Sequence, residues 1–184
     1  MELLTYRITG VSPILQNNPA KMATQGGDSL KSGRKVYVAA TEAEAGVYRN
    51  DEGEIIVPAI AFRAALFRAA TNRKIGKLSA KSAVAGSIFP VETNVRLVNA
   101  KTNKAIKDYK IHSCRAVVNK AGIIRVRPMI ENWACDLVLE VDTEMIPNVE
   151  VITELLNIAG KIAGIMDWRP EKLGTFGRFT AKPA

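Results

Sequence analysis

The segment WACDLVLEV, at positions 133–141, constrains the fold more than any other part of the chain. Apolar residues occupy every second position from Trp133 to Val141, and the charged residues Asp136 and Glu140 fall between them. Successive side chains of a β-strand point to opposite faces, so this spacing is typical of a strand with one buried and one solvated face. Such a strand needs neighbouring strands and a covering layer. The sequence therefore predicts a sheet with helices packed on one side.

Other segments supply the neighbouring strands and the helices. Met1 to Val11 alternates in the same way, and further strands are predicted at 55–57, 88–98 and 176–181. Ala59 to Arg73 is a predicted helix that Pro58 begins, and a second helix runs from Pro147 to Gly164 with Asn148 as its N-cap. The core stripe of the first helix consists of Phe62, Ala65, Leu66 and Ala69.

The order of these elements is β, α, β, β, α, β, which predicts a single α+β domain over residues 1–184. This order is typical of a ferredoxin-like palm, a four-stranded antiparallel sheet with both helices on one face. Two insertions interrupt it. The first, at 13–54, contains a polar loop at 16–35 and a short helix at 38–47. The second is a β-hairpin at 106–130.

The inserted hairpin is strongly basic. Its predicted arms are Lys107 to Val118 and Ile123 to Ile130, and a turn at 119–122 sets Arg115 opposite Val126. The cations in the hairpin are Lys107, Lys110, Arg115, Lys120, Arg125 and Arg127, against the single acid Asp108. A stiff two-stranded ribbon with this charge favours binding to a phosphate backbone. The alternative is a solvated edge hairpin whose charges only prevent aggregation.

The whole-chain charge agrees with a polyanionic partner. Lys and Arg total 26 against 18 Asp and Glu, which gives a formal charge of +8 and a pI near 9.6. This charge favours nucleic acid first and an anionic membrane second, the alternative being a basic protein without such a ligand. Two cysteines and one histidine do not suffice for a zinc site or a disulfide scaffold. The absence of a signal peptide or a long apolar run predicts a cytoplasmic protein that does not enter a membrane, and no metal or cofactor is expected.

A second basic segment, DWRPEKLGTFGRF at 167–179, combines cations, aromatics and glycines. Gly174 and Gly177 would let backbone amides approach an anion, and Trp168 and Phe176 could stack on exposed bases. The alternative is a tight helix-to-strand turn with buried aromatics. The cations here are Arg169, Lys172 and Arg178.

The sequence offers less for other modes of action. No aromatic residue faces outward in the first strand or in 133–141, which argues against base reading across the sheet. His112 is the only histidine and lies in a predicted strand without a partner in view. Asp28 and Asp51 lie in or near loops, where acids usually serve turns. No catalytic residue is therefore assigned.

The layout resembles the repeat-associated mysterious protein (RAMP) superfamily, and within it the backbone subunit of class 1 CRISPR effector complexes, which serve antiviral defence. That family has a ferredoxin-like palm, an insertion after the first strand and a hairpin "thumb" between strands two and three. IIVPAIAFRAALFRAA at 55–70 is similar to its proline-led first helix, and LGTFGRF at 173–179 to its late glycine-rich loop. Ala59 and Ile60 stand where the family often has Gly and Ser. The chain is also shorter than most backbone subunits, and this short length favours a compact or phage-borne relative.

The resemblance implies a protein that coats single-stranded RNA in a filament, as a homo-oligomer or within a larger ribonucleoprotein. Carried over by position, the RNA contacts would be Arg63, Arg68, the thumb cations and Arg178; Asp28 is the nearest match to a loop aspartate with which some members cut RNA. We expect a non-catalytic binder of single-stranded RNA or single-stranded DNA. The alternatives are a RAMP-type endoribonuclease and a viral protein that mimics a backbone subunit and inserts into a host complex.

Overall fold

The computed structural model describes residues 1–20, 38–118 and 121–184. The predicted loop at 16–35 therefore lies mostly outside the described residues. The strands are β1 (Glu2–Gly10), β2 (Ile14–Leu15), β3 (Ile56–Pro58), β4 (Lys74–Ile75), β5 (Leu78–Ser79), β6 (Ile88–Pro90), β7 (Asn94–Arg96), β8 (Val98–Asn99), β9 (Lys110–Val118), β10 (Ala121–Ile130), β11 (Trp133–Val141) and β12 (Phe179–Pro183). The helices are α1 (Ala39–Ala45), α2 (Ile60–Ala69), α3 (Ala80–Ser87) and α4 (Glu150–Ile162), followed by a 3₁₀ turn at Pro170–Lys172.

The main sheet is antiparallel, with the order β12–β1–β11–β6 and β8 also paired to β11. Tyr6 lies opposite Leu137 and Ile8 opposite Cys135, and all four are buried. The predicted alternation in β1 and β11 is thus confirmed. α2 and α4 belong to the core over this face, where the ring of Phe62 meets that of Phe179 edge-on at 5.6 Å between centroids. The prediction of an α+β fold is confirmed.

The segment between α2 and β11 differs from the prediction. The single strand expected at 88–98 is three short strands, β6 to β8, and an unpredicted helix, α3, precedes them. Its buried residues, Ala80, Ala83, Val84 and Ser87, do have helical spacing, but the helix is only eight residues long and most of these side chains are small, so the spacing does not stand out in the sequence. The α2 helix also ends at Ala69, earlier than expected, since Asn72 adopts a left-handed φ of 60°.

The hairpin is present with a corrected register. β9 and β10 pair up to Val118 opposite Ala121, so two residues separate the paired strands instead of four. Arg115 consequently lies opposite Ile124, and the predicted pairing with Val126 is wrong. A shift of two residues leaves every side chain on its predicted face, because the strand period is two. β2 adds a third strand along β10, with Leu15 opposite Met129.

Side-chain contacts from α1 hold the chain where it enters the hairpin. Arg49 forms an ion pair with Glu44 at 2.8 Å and donates to the Lys107 carbonyl, while the Tyr109 hydroxyl donates to Glu44. Burial and the hydrogen bond to Glu44 raise the pKa of Tyr109 to about 12. The hydrogen bond from Arg49 lowers the pKa of Glu44. The base of the hairpin is thereby fixed to the body of the protein.

Across the described ranges, no helix combines the length and the apolar character that crossing a bilayer requires.

Candidate nucleic-acid interface

The structure brings the two basic motifs of the sequence into contact. We define the aromatic cluster as His112, from β9, with Trp168 and Phe176, from the segment before β12. His112 meets both aromatic rings edge-on, with centroids 5.2 Å from Phe176 and 6.1 Å from Trp168. Trp168 and Phe176 stack on each other at 6.0 Å with 25° between their planes. Trp168 is 39% exposed, so part of its ring faces solvent.

Unusual backbone geometry shapes the loop that carries Trp168. Met166, Trp168 and Leu173 all have left-handed φ angles, between 51° and 64°, which non-glycine residues adopt only at an energetic cost. Gly174 and Gly177 pack so closely that a Cβ atom would collide with the carbonyl oxygens of Trp168 and Ile165. Close packing therefore holds the loop and its tryptophan in one conformation.

The backbone amides of this loop are already used within the chain. Phe176 donates to the Trp168 carbonyl, Gly177 to the Pro13 carbonyl and Arg178 to the Ser12 hydroxyl. Lys172, Leu173 and Gly174 also donate to nearby carbonyls. The amide concavity expected for an anion is thus filled by the chain itself. The backbone forms a tight turn, and the exposed features of the segment are its side chains.

Several predicted cations are engaged by acids. Arg127 forms an ion pair with Asp167 and is only 17% exposed, and its Nη1 lies 4.0 Å from the Cys114 Sγ. Lys110 pairs with Glu131 at 2.7 Å. Glu171 pairs with Arg169 at 3.0 Å and with Arg68 at 3.2 Å. The pairs of Asp167 with Arg127 and of Glu171 with Arg68 fix the loop to β10 and to α2.

Other predicted cations keep their charge available. No acid among the described residues lies within 4.0 Å of the cationic groups of Arg115, Arg125, Lys172 or Arg178. Arg115, Lys172 and Arg178 are exposed and Arg125 is half-buried. Lys120 lies outside the described residues. This set is smaller than the sequence predicted, and its members lie on the hairpin and on the loop at 167–179.

Arg63 has a different environment. Its guanidinium donates to the carbonyls of Ala85 and Ile88 and lies 4.8 Å from the centroid of the Phe89 ring. It thus ties α2 to the end of α3. The role of Arg63 as an RNA contact stays a prediction.

Three further features bear on alternative chemistries. The buried Nδ1 of His112 has no hydrogen-bond partner, and no group of three or more metal-ligating side chains occurs in residues 1–20, 38–118 and 121–184. Burial raises the pKa of the Cys135 thiol far above its ordinary value, which makes it unreactive. Asp51 is exposed in a turn, and Asp28 lies outside the described residues.

Two structural features were not predicted from the sequence. Phe89 shares the open face of the sheet with Glu140, its cross-strand partner, and is 36% exposed. Asp167 neutralises Arg127, which no local pattern indicated.

A scan against models of protein families finds no match to this sequence, and a search of curated proteins finds no relative. The function is therefore inferred from the residues of the site.

Proposed function

We propose that this protein binds single-stranded nucleic acid, RNA in the first place, without cutting it, and that copies of it assemble along the strand. The observation that carries this proposal is the part-exposed Trp168 ring, held by Phe176 and His112 between two basic elements. A flat ring in a fixed orientation is a stacking platform for an unpaired base.

The aromatic cluster suits stacking because its geometry exists before the ligand arrives. Phe176 stacks against one side of the indole and His112 meets it edge-on, so the ring has little freedom to lose on binding. A base stacked on such a ring contributes about 1–3 kcal/mol regardless of its identity. The platform therefore favours a single strand over a duplex, whose bases are already stacked.

The unpaired cations supply the other half of the interaction. Arg125 lies on the same strand face as His112. In the loop, Lys172 lies between Trp168 and Phe176 in the sequence, and Arg178 follows Phe176 by two residues. Phosphates follow one another at short intervals along a single strand, so cations on both sides of a stacking platform suit this ligand. A solvated edge hairpin would not need an aromatic platform at its side.

The topology supports the family resemblance. The sheet order β12–β1–β11–β6, with α2 and α4 in the core, agrees with the ferredoxin-like palm that the sequence predicts. The hairpin follows β8 and precedes β11, where a RAMP backbone subunit has its thumb. These features favour a backbone-type subunit that works as a homo-oligomer or within a larger ribonucleoprotein.

The proposal is tested by titrating the protein with labelled RNA of about 16 nucleotides, a length that fills one extended binding site. Replacement of Trp168 by Ala should weaken binding about 5- to 150-fold, because one stacking contact is lost. Leu173→Ala is the matched control, since Leu173 is 97% exposed on the same loop and has no ring. Equal affinities of wild type and Trp168→Ala would contradict the proposal.

The same titration separates the other candidate functions. RNA that is cut by the wild type and left intact by His112→Ala would indicate an endoribonuclease. A protein that retains no nucleic acid and binds tightly to a host effector complex would indicate a viral mimic. Intact RNA bound by purified protein, with quenching of Trp168 fluorescence while the buried Trp133 is unaffected, supports the binder.

A further inference from the structure

A second basic surface lies away from the aromatic cluster, at the small hairpin between α2 and α3. We call it the tip patch. It consists of Arg73, Lys74, Lys77 and Lys81, four cations within nine residues that include no acid. Arg73, Lys74 and Lys77 are exposed, and Lys81 is half-buried. No acid in the described part of the chain lies within ion-pair distance of any of them.

The tip patch has a defined shape. β4 and β5 pair Lys74 with Ser79 and Ile75 with Leu78, and Gly76 provides the left-handed φ of 58° that the two-residue turn requires. The Ala80 amide donates to the Arg73 carbonyl, which joins the hairpin to α3. The cations therefore stand at fixed positions on a short ribbon. Cations kept only for solubility do not need such an arrangement.

An aromatic ring adjoins the tip patch. Phe67, on α2, is 42% exposed, and the Lys81 Nζ lies 5.2 Å from the centroid of its ring. The tip patch thus combines an exposed aromatic ring with cations, as the aromatic cluster and the cations of its two elements do. Both kinds of side chain interact with single-stranded nucleic acid.

The tip patch is connected to the aromatic cluster by a run of cations. Arg169 follows Trp168 and pairs with Glu171, and Glu171 also pairs with Arg68 near the end of α2. Arg73 follows five residues after Arg68, just beyond the end of the helix. Arg169, Glu171 and Arg68 thus link the loop of Trp168 to the last turn of α2, after which the tip patch follows in the chain.

We infer that the tip patch is a second phosphate-binding site for the same strand that stacks on Trp168, reached past Arg169 and Arg68. This inference rests on the proposed function and extends it. A strand long enough to reach both surfaces gains the cations of the tip patch, whereas a short strand occupies the aromatic cluster alone. The dependence on length follows because a tethered second contact acts at high local concentration.

The test compares the double variant Lys74→Ala, Lys77→Ala with Lys101→Ala, Lys104→Ala. The control pair is also exposed, removes the same charge and lies in the loop after β8. RNA of about 16 nucleotides and RNA of about 4 nucleotides are titrated at several salt concentrations, and Trp168 fluorescence reports occupancy of the cluster. Thermal unfolding verifies that both variants fold.

With the longer RNA, we expect the tip variant to bind about tenfold more weakly than the wild type. The slope of log K against log salt should also become less steep by about 1.4, because each of the two lost phosphate contacts on a single strand contributes about 0.7. The short RNA should bind both variants and wild type alike. A salt slope that is unchanged in the tip variant, or that becomes less steep by the same amount in the control variant, would overturn the inference. Quenching of Trp168 fluorescence by RNA would still support the proposed function in that case. If the wild type neither binds RNA nor quenches, the proposed function itself fails.

A lipid surface is the competing ligand, because Leu78 is 45% exposed at the turn. Vesicles of phosphatidylcholine with phosphatidylserine, and of phosphatidylcholine alone, are therefore sedimented with wild type and the tip variant. Binding to the anionic vesicles that disappears in the tip variant, with RNA affinity unchanged, would assign the tip patch to a membrane and overturn the inference. Absence of vesicle binding together with the loss in slope supports it.

Discussion

Arg125 and Arg127 are two residues apart on the same face of one strand, and the structure gives them different roles. Arg127 is 17% exposed and is paired with Asp167, so its charge is neutralised inside the junction between hairpin and loop. Arg125 is half-buried and no described acid lies within ion-pair distance. One arginine therefore holds the site together, and the other is available to a ligand.

This difference predicts opposite effects of two single substitutions. Arg127→Ala leaves the Asp167 carboxylate without its partner and should lower the free energy of unfolding by about 1–3 kcal/mol. Arg125→Ala should change that free energy by less than about 0.5 kcal/mol, as is usual for a surface position, while it weakens RNA binding. Urea unfolding and RNA titration of both variants provide the check. A stable Arg127→Ala protein with reduced RNA affinity would show that Arg127 is a ligand contact instead.

Among the elements, β12 shows how the fold protects the free edge of its main sheet. β12 pairs with β1 on one side, and on the other side its backbone meets a side chain of α4. The Nδ2 of Asn157 donates to the Ala181 carbonyl at 2.9 Å, and its Oδ1 accepts from the Ala181 amide at 3.0 Å. Asn157 thus occupies the groups that an added strand would use. Contacts between copies are then expected at other surfaces.

Replacement of Asn157 by Ala should expose this edge. The Ala181 amide and carbonyl lose their partners, which should cost about 1–2 kcal/mol of unfolding free energy. The open edge should also cause self-association that rises with protein concentration and does not need RNA. Thr180→Ala, at an exposed neighbouring position of β12, is the control. Sedimentation velocity of a monomeric Asn157→Ala protein at high concentration would contradict this role.

At the scale of the whole molecule, the net charge of +8 is distributed unevenly. Arg7 is paired with Asp136 at 3.1 Å on the open face of the sheet, which also carries Glu140. Cations that have no acid partner among the described residues lie on other surfaces, namely on the hairpin, on the loop at 167–179 and in the tip patch. Lys182, the cross-strand neighbour of Arg7, adds an exposed cation to the open face of the sheet, so this face is close to neutral and attracts a polyanion less than the basic hairpin and loop do.

The affinity of the protein for RNA should therefore fall steeply with salt. About five phosphate contacts on a single strand predict a slope near −3.5 in log K against log salt. Titrations at several salt concentrations with one RNA measure this slope. A flat response would show that phosphate neutralisation does not drive binding, and would remove the electrostatic basis of the proposal.

Much of the architecture was predictable because its determinants are local. Alternation of period two identified β1 and β11 and their buried faces, and helical spacing identified α2 and α4. The faces of the hairpin residues were predicted correctly although the register was not, because a shift of two positions preserves the face. The α3 helix was missed because it has only eight residues and its buried side chains are mostly small, so their helical spacing does not stand out.

The candidate site was predictable only as a set of residue types. The sequence by itself determined that the chain is basic, that two segments concentrate cations and that one of them carries Trp168. Only the tertiary structure decided that Arg127 is neutralised, that Arg125 keeps its charge and that His112 meets Trp168 and Phe176. The physical reason is that periodicity and composition are properties of neighbouring residues. Ion pairing and ring contacts depend instead on distances between positions far apart in the chain, and those distances exist only after folding.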